Sequence, residues 1–361
     1  MSAKARCFKG YPSVPRTAGP PAPGPAVSEL CVHCPAGGPA RRGAVTSRAG
    51  PSAKDRRDPA VLGTVGSSAL GRTGPARRRW ARVADGWEWD ETLFAGTAAH
   101  YRRGRLPYAP GLAEALAGVL RPDGRGRLVD MGCGPGVLAL DLAPLFAEVV
   151  GVDPDADMLA EAGREAAARR TGARIRWVRA RAEELPPDLG TFAVATFGQS
   201  FHWMDRARVA AATRDLLGPG GTLVHVSDLR TGTPAAGALP YPQVPGAAIR
   251  DLVTRYLGPV RRAGRGVLPE GTPGGEAAVL ARAGFTGPRR LVVPGGQLLR
   301  RTPDDVVAEV FSMSFSAPHL FGPRRAAFEA DLRGLLREAS ATGLFSARGP
   351  GTEVFFWGTD P

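Results

Sequence analysis

The chain of 361 residues is long enough for one large or two ordinary domains, and with 43% hydrophobic residues it can bury a sizeable core. Its formal charge is +13, but residues 1 to 80 hold 14 of the 47 Lys and Arg residues and only 3 of the 34 acidic ones, so the remainder is nearly neutral. This distribution argues against a nucleic-acid-binding core, and the lack of an apolar run of about 20 residues or of a secretory segment argues against a membrane protein and favours a soluble cytoplasmic one.

Residues 1 to 80 are rich in Pro, Gly, Ala, Ser and Arg and show no periodic apolar pattern. Such a composition cannot offset chain entropy by burial, so we predict a disordered basic extension. It could serve as a tail for nucleic acid or acidic partners, or as an Arg-rich targeting peptide, but we favour a solvated extension without a site. The motif CVHC at 31 to 34 has half the spacing of a zinc site and lacks the second ligand pair, so we predict no metal.

The amino-acid composition changes near residue 87, where aromatic residues appear. The folded domain is expected to extend over residues 81 to 361. Residues 87 to 120 combine an aromatic stretch with apolar residues at helical spacing after Pro110, and they predict an N-terminal lid. Within it, the RRGR run at 102 to 105 is either a clamp for a carboxylate substrate or a solvated face.

Strand and helix patterns then alternate through a predicted core at residues 121 to 228. Gly and Pro residues mark 229 to 285 as an insertion or cap around one helix at 246 to 257, and residues 286 to 361 return to strands and helices. We predict a doubly wound, Rossmann-like α/β fold: a seven-stranded, mostly parallel sheet with helices on both faces, plus a lid and cap. The strands are expected near 126 to 131, 148 to 152, 174 to 179, 191 to 197, 221 to 227, 287 to 293 and 353 to 358, and further helices near 136 to 145, 155 to 170, 205 to 217, 303 to 311 and 323 to 340.

One short stretch, LVDMGCGPGVLAL at 128 to 140, carries the strongest functional signal. Asp130 lies near a strand end and is followed by Gly132, Gly134 and Gly136, which predict a tight turn into a helix where a ligand lies on bare backbone. The dinucleotide fingerprint G-x-G-x-x-G fails because Val137 stands at its third glycine, and the GK[ST] of a P-loop is absent. The pattern that fits is D-x-G-x-G-x-G followed by an acidic residue, Asp153, at the end of the second strand.

With these motifs, the sequence resembles the class I S-adenosylmethionine-dependent methyltransferases, and more narrowly the small-molecule branch that includes trans-aconitate and ubiquinone-type methyltransferases. The segments MLAEA at 158 to 162, RAEELP at 181 to 186, GQSFHWMD at 198 to 205 and LLGPGGTL at 216 to 223 match the family in order. The resemblance implies S-adenosylmethionine as the cofactor, with Asp153 accepting hydrogen bonds from its ribose hydroxyls. The implied cofactor residues are Asp130, Gly132, Gly134, Gly136, Asp153, Pro154, Met158, Ala182, Glu183 and Gln199.

The acceptor side of the predicted site is less well defined. His100, Tyr101 and Trp203 are candidate substrate contacts, and His202 is a candidate general base, although a histidine that packs and orients its loop is the stronger interpretation. We expect a small-molecule substrate, with a carboxylate, hydroxyl, amine or carbon as the nucleophile.

Two residues depart from the family pattern and keep alternatives open. Arg181 replaces a short polar acceptor near the adenine, and Ala193 replaces an aspartate at the start of strand four. The alternatives are a non-catalytic binding protein on this fold and a nucleic-acid methyltransferase that uses the basic extension.

Overall fold

The alternation of strand and helix seen in the sequence is realised along the chain. The computed structural model describes residues 90 to 169, 174 to 229, 237 to 263, 266 to 267 and 275 to 359. The predicted basic extension and its CVHC motif lie outside the described residues, as do the first residues of the predicted lid.

Most helices begin and end within a few residues of the predicted bounds. Short signals explain several starts: Thr302 and Asp305 form a capping box with Pro303 in the first turn, and the Asp205 carboxylate accepts from the backbone N–H of Arg208. The described helices are α1 (Ala98–Gly104), α2 (Leu112–Leu120), α3 (Val137–Leu142), α4 (Ala156–Arg169), α5 (Arg206–Leu216), α6 (Gly246–Leu257), α7 (Glu276–Arg282), α8 (Pro303–Phe311), α9 (Pro318–Phe321) and α10 (Arg325–Ala339).

All seven predicted strands are present, together with short strands that the sequence did not indicate. The described strands are β1 (Arg127–Met131), β2 (Glu148–Asp153), β3 (Arg174–Arg179), β4 (Phe192–Gly198), β5 (Leu217–Asp228), β6 (Arg262–Ala263), β7 (Gly266–Val267), β8 (Phe285–Val293), β9 (Leu298–Arg301), β10 (Phe345–Arg348) and β11 (Thr352–Thr359). The unpredicted pairs are the antiparallel β6–β7 and β9–β10.

Seven strands form one sheet in the order β3-β2-β1-β4-β5-β11-β8, which confirms the predicted fold class. The first five strands pair in parallel, and β11 runs antiparallel between β5 and β8. The chain moves outward from β1 to β3 and then returns to β4 on the other side of β1. This change of direction opens a crevice at the carboxyl ends of β1 and β4, where ligands bind in open α/β sheets.

Both faces of the sheet are covered by apolar packing. Val129 and Met131 of β1 point to one face and pack with residues of α5 and α7. Leu128 points to the other face and packs with residues of α2 and α3. The near-continuous apolar run of β1 follows from this burial on both sides.

The region between β5 and β8 contributes to two parts of the molecule, in contrast to the single cap predicted for residues 229 to 285. Helix α7 packs on α5 and β8 in the sheet layer. Helix α6 instead joins α8, α9, α10 and β10 in a separate apolar cluster, which we call the helical cap. Residues distant in sequence build this cap, so local composition did not reveal its extent. None of the described helices is both long and apolar enough to cross a membrane.

Candidate functional site

The three glycines after β1 differ in what surrounds them, although all have positive φ angles. A Cβ on Gly136 would lie 2.6 Å from the Trp177 ring, so this glycine permits helix α3 to pack on that ring. A Cβ on Gly132 would meet Ser200 at 2.7 Å. A Cβ on Gly134, whose φ is +53°, would meet nothing within 4 Å. Of the three, Gly134 is therefore the one at which bare backbone faces open space.

Asp153, the last residue of β2, is tied to the glycine turn by its carboxylate. One oxygen, Oδ2, accepts from the backbone N–H of Gly134 at 2.8 Å, and the other, Oδ1, accepts from that of Asp155 at 2.9 Å. Each carboxylate oxygen can accept further hydrogen bonds, so capacity for a ligand remains. Burial raises the pKa of Asp153 to about 6, whereas these two backbone hydrogen bonds favour the ionised carboxylate and lower the pKa.

Asp130 lies deeper, in the middle of the sheet. Strand pairing places it opposite Thr196 of β4, and the Thr196 hydroxyl donates to Asp130 Oδ1 at 2.7 Å. Burial raises the pKa of Asp130 to about 7, while the Thr196 hydroxyl and the backbone N–H of Ala139 favour the ionised form. The geometry gives the Asp130 carboxylate both a structural partner, Thr196, and a place in the wall of a cleft.

The first cleft lies over the glycine turn and encloses about 840 Å³, including its open mouth. Its walls bring together ten of the predicted cofactor and substrate residues: Tyr101, Gly132, Gly134, Asp153, Pro154, Met158, Ala182, Glu183, Gln199 and Trp203. Sequence reasoning gave no site role to several other lining residues: Glu91, Phe94, Asp155, Gly198, Ser200 and Met204. Gly136 is not among the lining residues.

A second cleft adjoins the first and encloses about 1070 Å³, also counted with its mouth. The two share Tyr101, Gly132, Gly134, Gly198 and Gln199. Gln199 stands at this junction with a φ of +58°, a conformation uncommon for a residue other than glycine and found preferentially at functional sites.

The remaining walls of the second cleft come from the lid, the sheet ends and the helical cap. Most of these residues carried no signal in the sequence because they lie far apart along the chain. They are Arg105, Leu106, Tyr108, Asp130, Cys133, Pro135, Val137, Leu138, Asp228, Glu309, Met313 and Pro350. Burial raises the pKa of the Glu309 carboxyl, against the opposing effect of Arg301 and Arg105.

Arg181, which departs from the family pattern, lines the first cleft beside Glu183. The Arg181 Nε lies 3.4 Å from Glu183 Oε2, and Glu183 Oε1 accepts from the backbone N–H of Asp205 at 2.8 Å. The Glu183 carboxylate thus ties the loop after β3 to the start of α5. Ala193 is exposed near the start of β4, away from the lining of either cleft.

Two pairs of adjacent residues that the sequence assigned together are separated by the geometry. Tyr101 lines both clefts, whereas His100 packs on Phe311 at a ring distance of 5.2 Å and lines neither. Burial and Arg325 lower the pKa of His100. Trp203 lines the first cleft, while His202 packs on Trp203 at 4.9 Å and lines neither cleft. Neighbours on an α- or 3₁₀-helix point about 100° to 120° apart, so one faces a cleft and the other does not.

Metal-ligating side chains are not grouped in the part of the chain that the structure describes: no three His, Cys, Asp or Glu residues there are arranged to hold an ion. Cys133 is a buried free thiol within the glycine turn, and burial raises its pKa.

Comparison with known proteins gives these clefts a context. Residues 128 to 221, which span β1 to the start of β5, match a family model described as a methyltransferase domain. A Saccharomyces cerevisiae protein named "probable S-adenosylmethionine-dependent methyltransferase" is 30% identical over 128 residues, which are 35% of this chain and 43% of the relative. The matched segment thus spans less than half the length of this relative.

Among solved structures, the chain is similar to the YcgJ protein from Bacillus subtilis, with 15% identity, a TM-score of 0.40 and coverage of 69% of this chain and 98% of that one. A longer sequence match is the ubiquinone biosynthesis O-methyltransferase of Methylocella silvestris, which is 30% identical over 191 residues, or 51% of this chain and 67% of the relative. The chain belongs to the class I S-adenosylmethionine-dependent methyltransferases, as this match, the methyltransferase domain model and the D-x-G-x-G-x-G turn with Asp153 at the end of β2 together show.

Proposed function

We propose that this protein transfers a methyl group from S-adenosylmethionine to a small-molecule acceptor, with the cofactor in the first cleft and the acceptor in the second. The observation that supports this assignment most directly is the meeting of the two clefts at Gly134, Gln199 and Tyr101. Transfer between two bound molecules needs such a junction, because the reacting atoms have to approach in line.

The residues of the first cleft fit the cofactor chemically. The open side of Gly134 leaves room for a ligand against the backbone, and the Asp153 carboxylate can accept from two neighbouring ribose hydroxyls. The buried side chains of Met158 and Ala182 offer an apolar surface to the adenine. We propose that the cofactor residues implied by the family resemblance act here, except Gly136, whose role is packing, and Asp130, which lines the second cleft.

When bound, S-adenosylmethionine supplies an electrophilic methyl group on a positively charged sulfonium. The protein orients the acceptor and excludes water, tasks that we assign to Tyr101 and Gln199 at the junction and to Trp203 with Phe94. The Trp203 and Phe94 rings meet edge to face at 5.8 Å beside the first cleft. His202, the base candidate from the sequence, contacts Trp203, so we propose that it positions that ring.

A carboxylate in the second cleft is better placed to receive a proton from the acceptor. Glu309 lines this cleft from the helical cap, and its pKa is raised by burial, which makes its Oε atoms more basic than those of a solvated glutamate. The relative from Methylocella silvestris is named an O-methyltransferase, and a hydroxyl is therefore the first acceptor class to test. We further propose that the reaction takes place in the cytoplasm, in line with the expectation from composition.

The proposal is tested by isothermal titration of S-adenosylmethionine and S-adenosylhomocysteine into the full chain, followed by methyl-transfer assays with labelled cofactor and a metabolite panel. We expect micromolar binding that Asp153→Asn weakens and that Asp157→Asn, an exposed change in the first turn of α4, leaves intact. Absence of binding by the folded parent chain would favour a non-catalytic protein. Methyl incorporation into RNA but into no metabolite would favour a nucleic-acid substrate.

A further inference from the structure

A third cleft, lined in part by α1 and α2 of the predicted lid, is distinguished by its charge. Six arginines line it: Arg102, Arg103, Arg105, Arg169, Arg300 and Arg301. Three acidic residues, Glu114, Asp141 and Asp305, also line it, so positive charge is in excess. We call this the arginine cleft. It is built from α1, the loop that follows, α2, α3, the end of α4, β9 and the start of α8, which come together only in the folded chain.

Several of these arginines have hydrogen-bonding capacity that the protein leaves unused. Among the described residues, five buried side-chain N or O atoms have no hydrogen-bond partner, and three of the five belong to this cleft: Arg102 Nη1, Arg105 Nε and Arg301 Nε. A buried donor without a partner is costly and calls for an explanation. Arg301 is only 6% exposed, so water does not readily relieve this cost.

Acidic side chains around the cleft form ion pairs with four of the six arginines. The ion pairs are Arg102 with Glu165 at 2.8 Å, Arg103 with Asp305 at 2.8 Å, Arg169 with Asp141 at 2.6 Å, and Arg301 with Glu309 at 3.3 Å. For Arg105 and Arg300 the described part of the chain provides no ion pair. Arg105 donates from Nη2 to the Ser312 carbonyl at 3.0 Å and lies 4.9 Å from the Tyr101 ring centroid.

The arginine cleft adjoins the second cleft, and the two share part of their walls. Arg105 lines both, as do Tyr101, Leu106, Tyr108, Val137 and Leu138. A molecule with its reactive atom in the second cleft therefore needs to extend only past these mostly apolar side chains to reach the arginines.

We infer that the arginine cleft binds an oxyanion of the acceptor, either a carboxylate or a phosphate ester, and that the acceptor is an anion with an apolar body. Guanidinium groups suit this task because their paired N–H donors match the geometry of carboxylate and phosphate oxygens. The inference rests on the proposed methyl transfer, to which it adds the substrate class.

The test titrates pyrophosphate and citrate, as phosphate and carboxylate probes, into the full chain and three variants. Arg105→Gln and Arg300→Gln each remove one unpaired charge from the cleft. Arg337→Gln, an exposed change on α10 away from the cleft, controls for net charge and for anion binding by the basic extension. We expect the Kd of the preferred probe to rise about tenfold in Arg105→Gln and about threefold in Arg300→Gln, with Arg337→Gln equal to the parent. The tighter of the two probes identifies the group.

Equal anion affinity in the parent and all three variants would overturn the inference. Arg300 is exposed, so its replacement keeps the test valid even if Arg105→Gln does not fold. Titration of S-adenosylhomocysteine into the same samples separates the two proposals, since neither arginine lines the first cleft. Its failure to bind the parent would remove the proposed function and the acceptor assignment together, whereas equal anion binding with normal S-adenosylhomocysteine binding would remove the arginine-cleft inference alone.

Discussion

Asp130 and Asp153 lie on neighbouring parallel strands and are both buried, but their surroundings give the two carboxylates different roles. Asp153 accepts a hydrogen bond from the backbone of the glycine turn and lines the first cleft, so we expect its charge to affect ligand binding. Asp130 is bonded to Thr196 inside the sheet, so its charge bears mainly on stability. Their pKa values, raised by burial to about 6 and about 7, place both titrations in an accessible pH range.

We predict that affinity for S-adenosylmethionine rises from pH 5 to pH 7 as Asp153 loses its proton. The ionised carboxylate accepts hydrogen bonds with both oxygens and attracts a cationic ligand, whereas the protonated form does neither fully. Calorimetry at several pH values measures this effect. In Asp153→Asn the affinity at pH 7.5 falls by about tenfold or more, and its pH dependence becomes shallower. The same pH profile in parent and variant would contradict the assignment.

A second prediction concerns stability and Asp130. Because its folded pKa is raised above the unfolded value, the folded state binds the proton more tightly, and the free energy of unfolding decreases as the pH rises from about 4 to about 7. Asp130→Asn does not titrate. The parent should therefore lose stability relative to the variant as the pH rises from about 4.5 to about 7.5. We expect the difference in their free energies of unfolding to change by on the order of 3 kcal/mol, as measured by urea unfolding. A constant difference between the two proteins across this range would show that Asp130 does not titrate there.

At the scale of the element, the turn between β1 and α3 combines two functions in five residues. Gly136 makes room for the Trp177 ring, which lies against the turn from β3, while Gly134 leaves the cleft open. The same residue type therefore serves packing at one position and access at the other.

These roles predict opposite outcomes for two alanine substitutions. Gly136→Ala forces a Cβ to within 2.6 Å of the Trp177 ring in a left-handed conformation, and should lower the free energy of unfolding by about 2 kcal/mol or more. Gly134→Ala carries only the backbone strain, about 1 kcal/mol, but weakens S-adenosylhomocysteine binding by tenfold or more. Thermal unfolding and calorimetry on both variants measure the contrast. Normal binding by Gly134→Ala would mean that the ligand does not approach this backbone.

For the whole molecule, the sheet and the helical cap have separate apolar clusters but contribute to one site. The residues lining the first cleft come from the lid and the sheet ends, whereas Glu309 and Met313 of the second cleft come from α8 and the segment just after it. With the cofactor assigned to the first cleft and the acceptor to the second, as proposed above, we expect their binding to depend on different parts of the core.

Phe328 in α10 provides a test of this division. It is fully buried and stacks on Phe321 with ring centroids 4.0 Å apart. Phe328→Ala should therefore lower the free energy of unfolding of the helical cap by about 3 to 5 kcal/mol. We expect faster hydrogen exchange in α6, α8 and α10 but not in β1, and a larger loss of methyl transfer than of S-adenosylhomocysteine affinity. Phe197→Ala, in the sheet core, is the matched control and should affect β1 as well. Loss of cofactor affinity equal to the loss of transfer in Phe328→Ala would contradict separate roles.

The order of the main strands and helices, the glycine turn and Asp153 at the end of β2 could be predicted from the sequence, because they depend on local periodicity and on backbone conformations that glycine allows. Three features emerged from tertiary packing instead: Tyr101 and not His100 faces the clefts, Glu309 lines the second cleft, and arginines near residues 102, 169 and 300 share one cleft. These contacts join segments up to about two hundred residues apart. They follow from how apolar faces pack, and no pattern within a single segment encodes them.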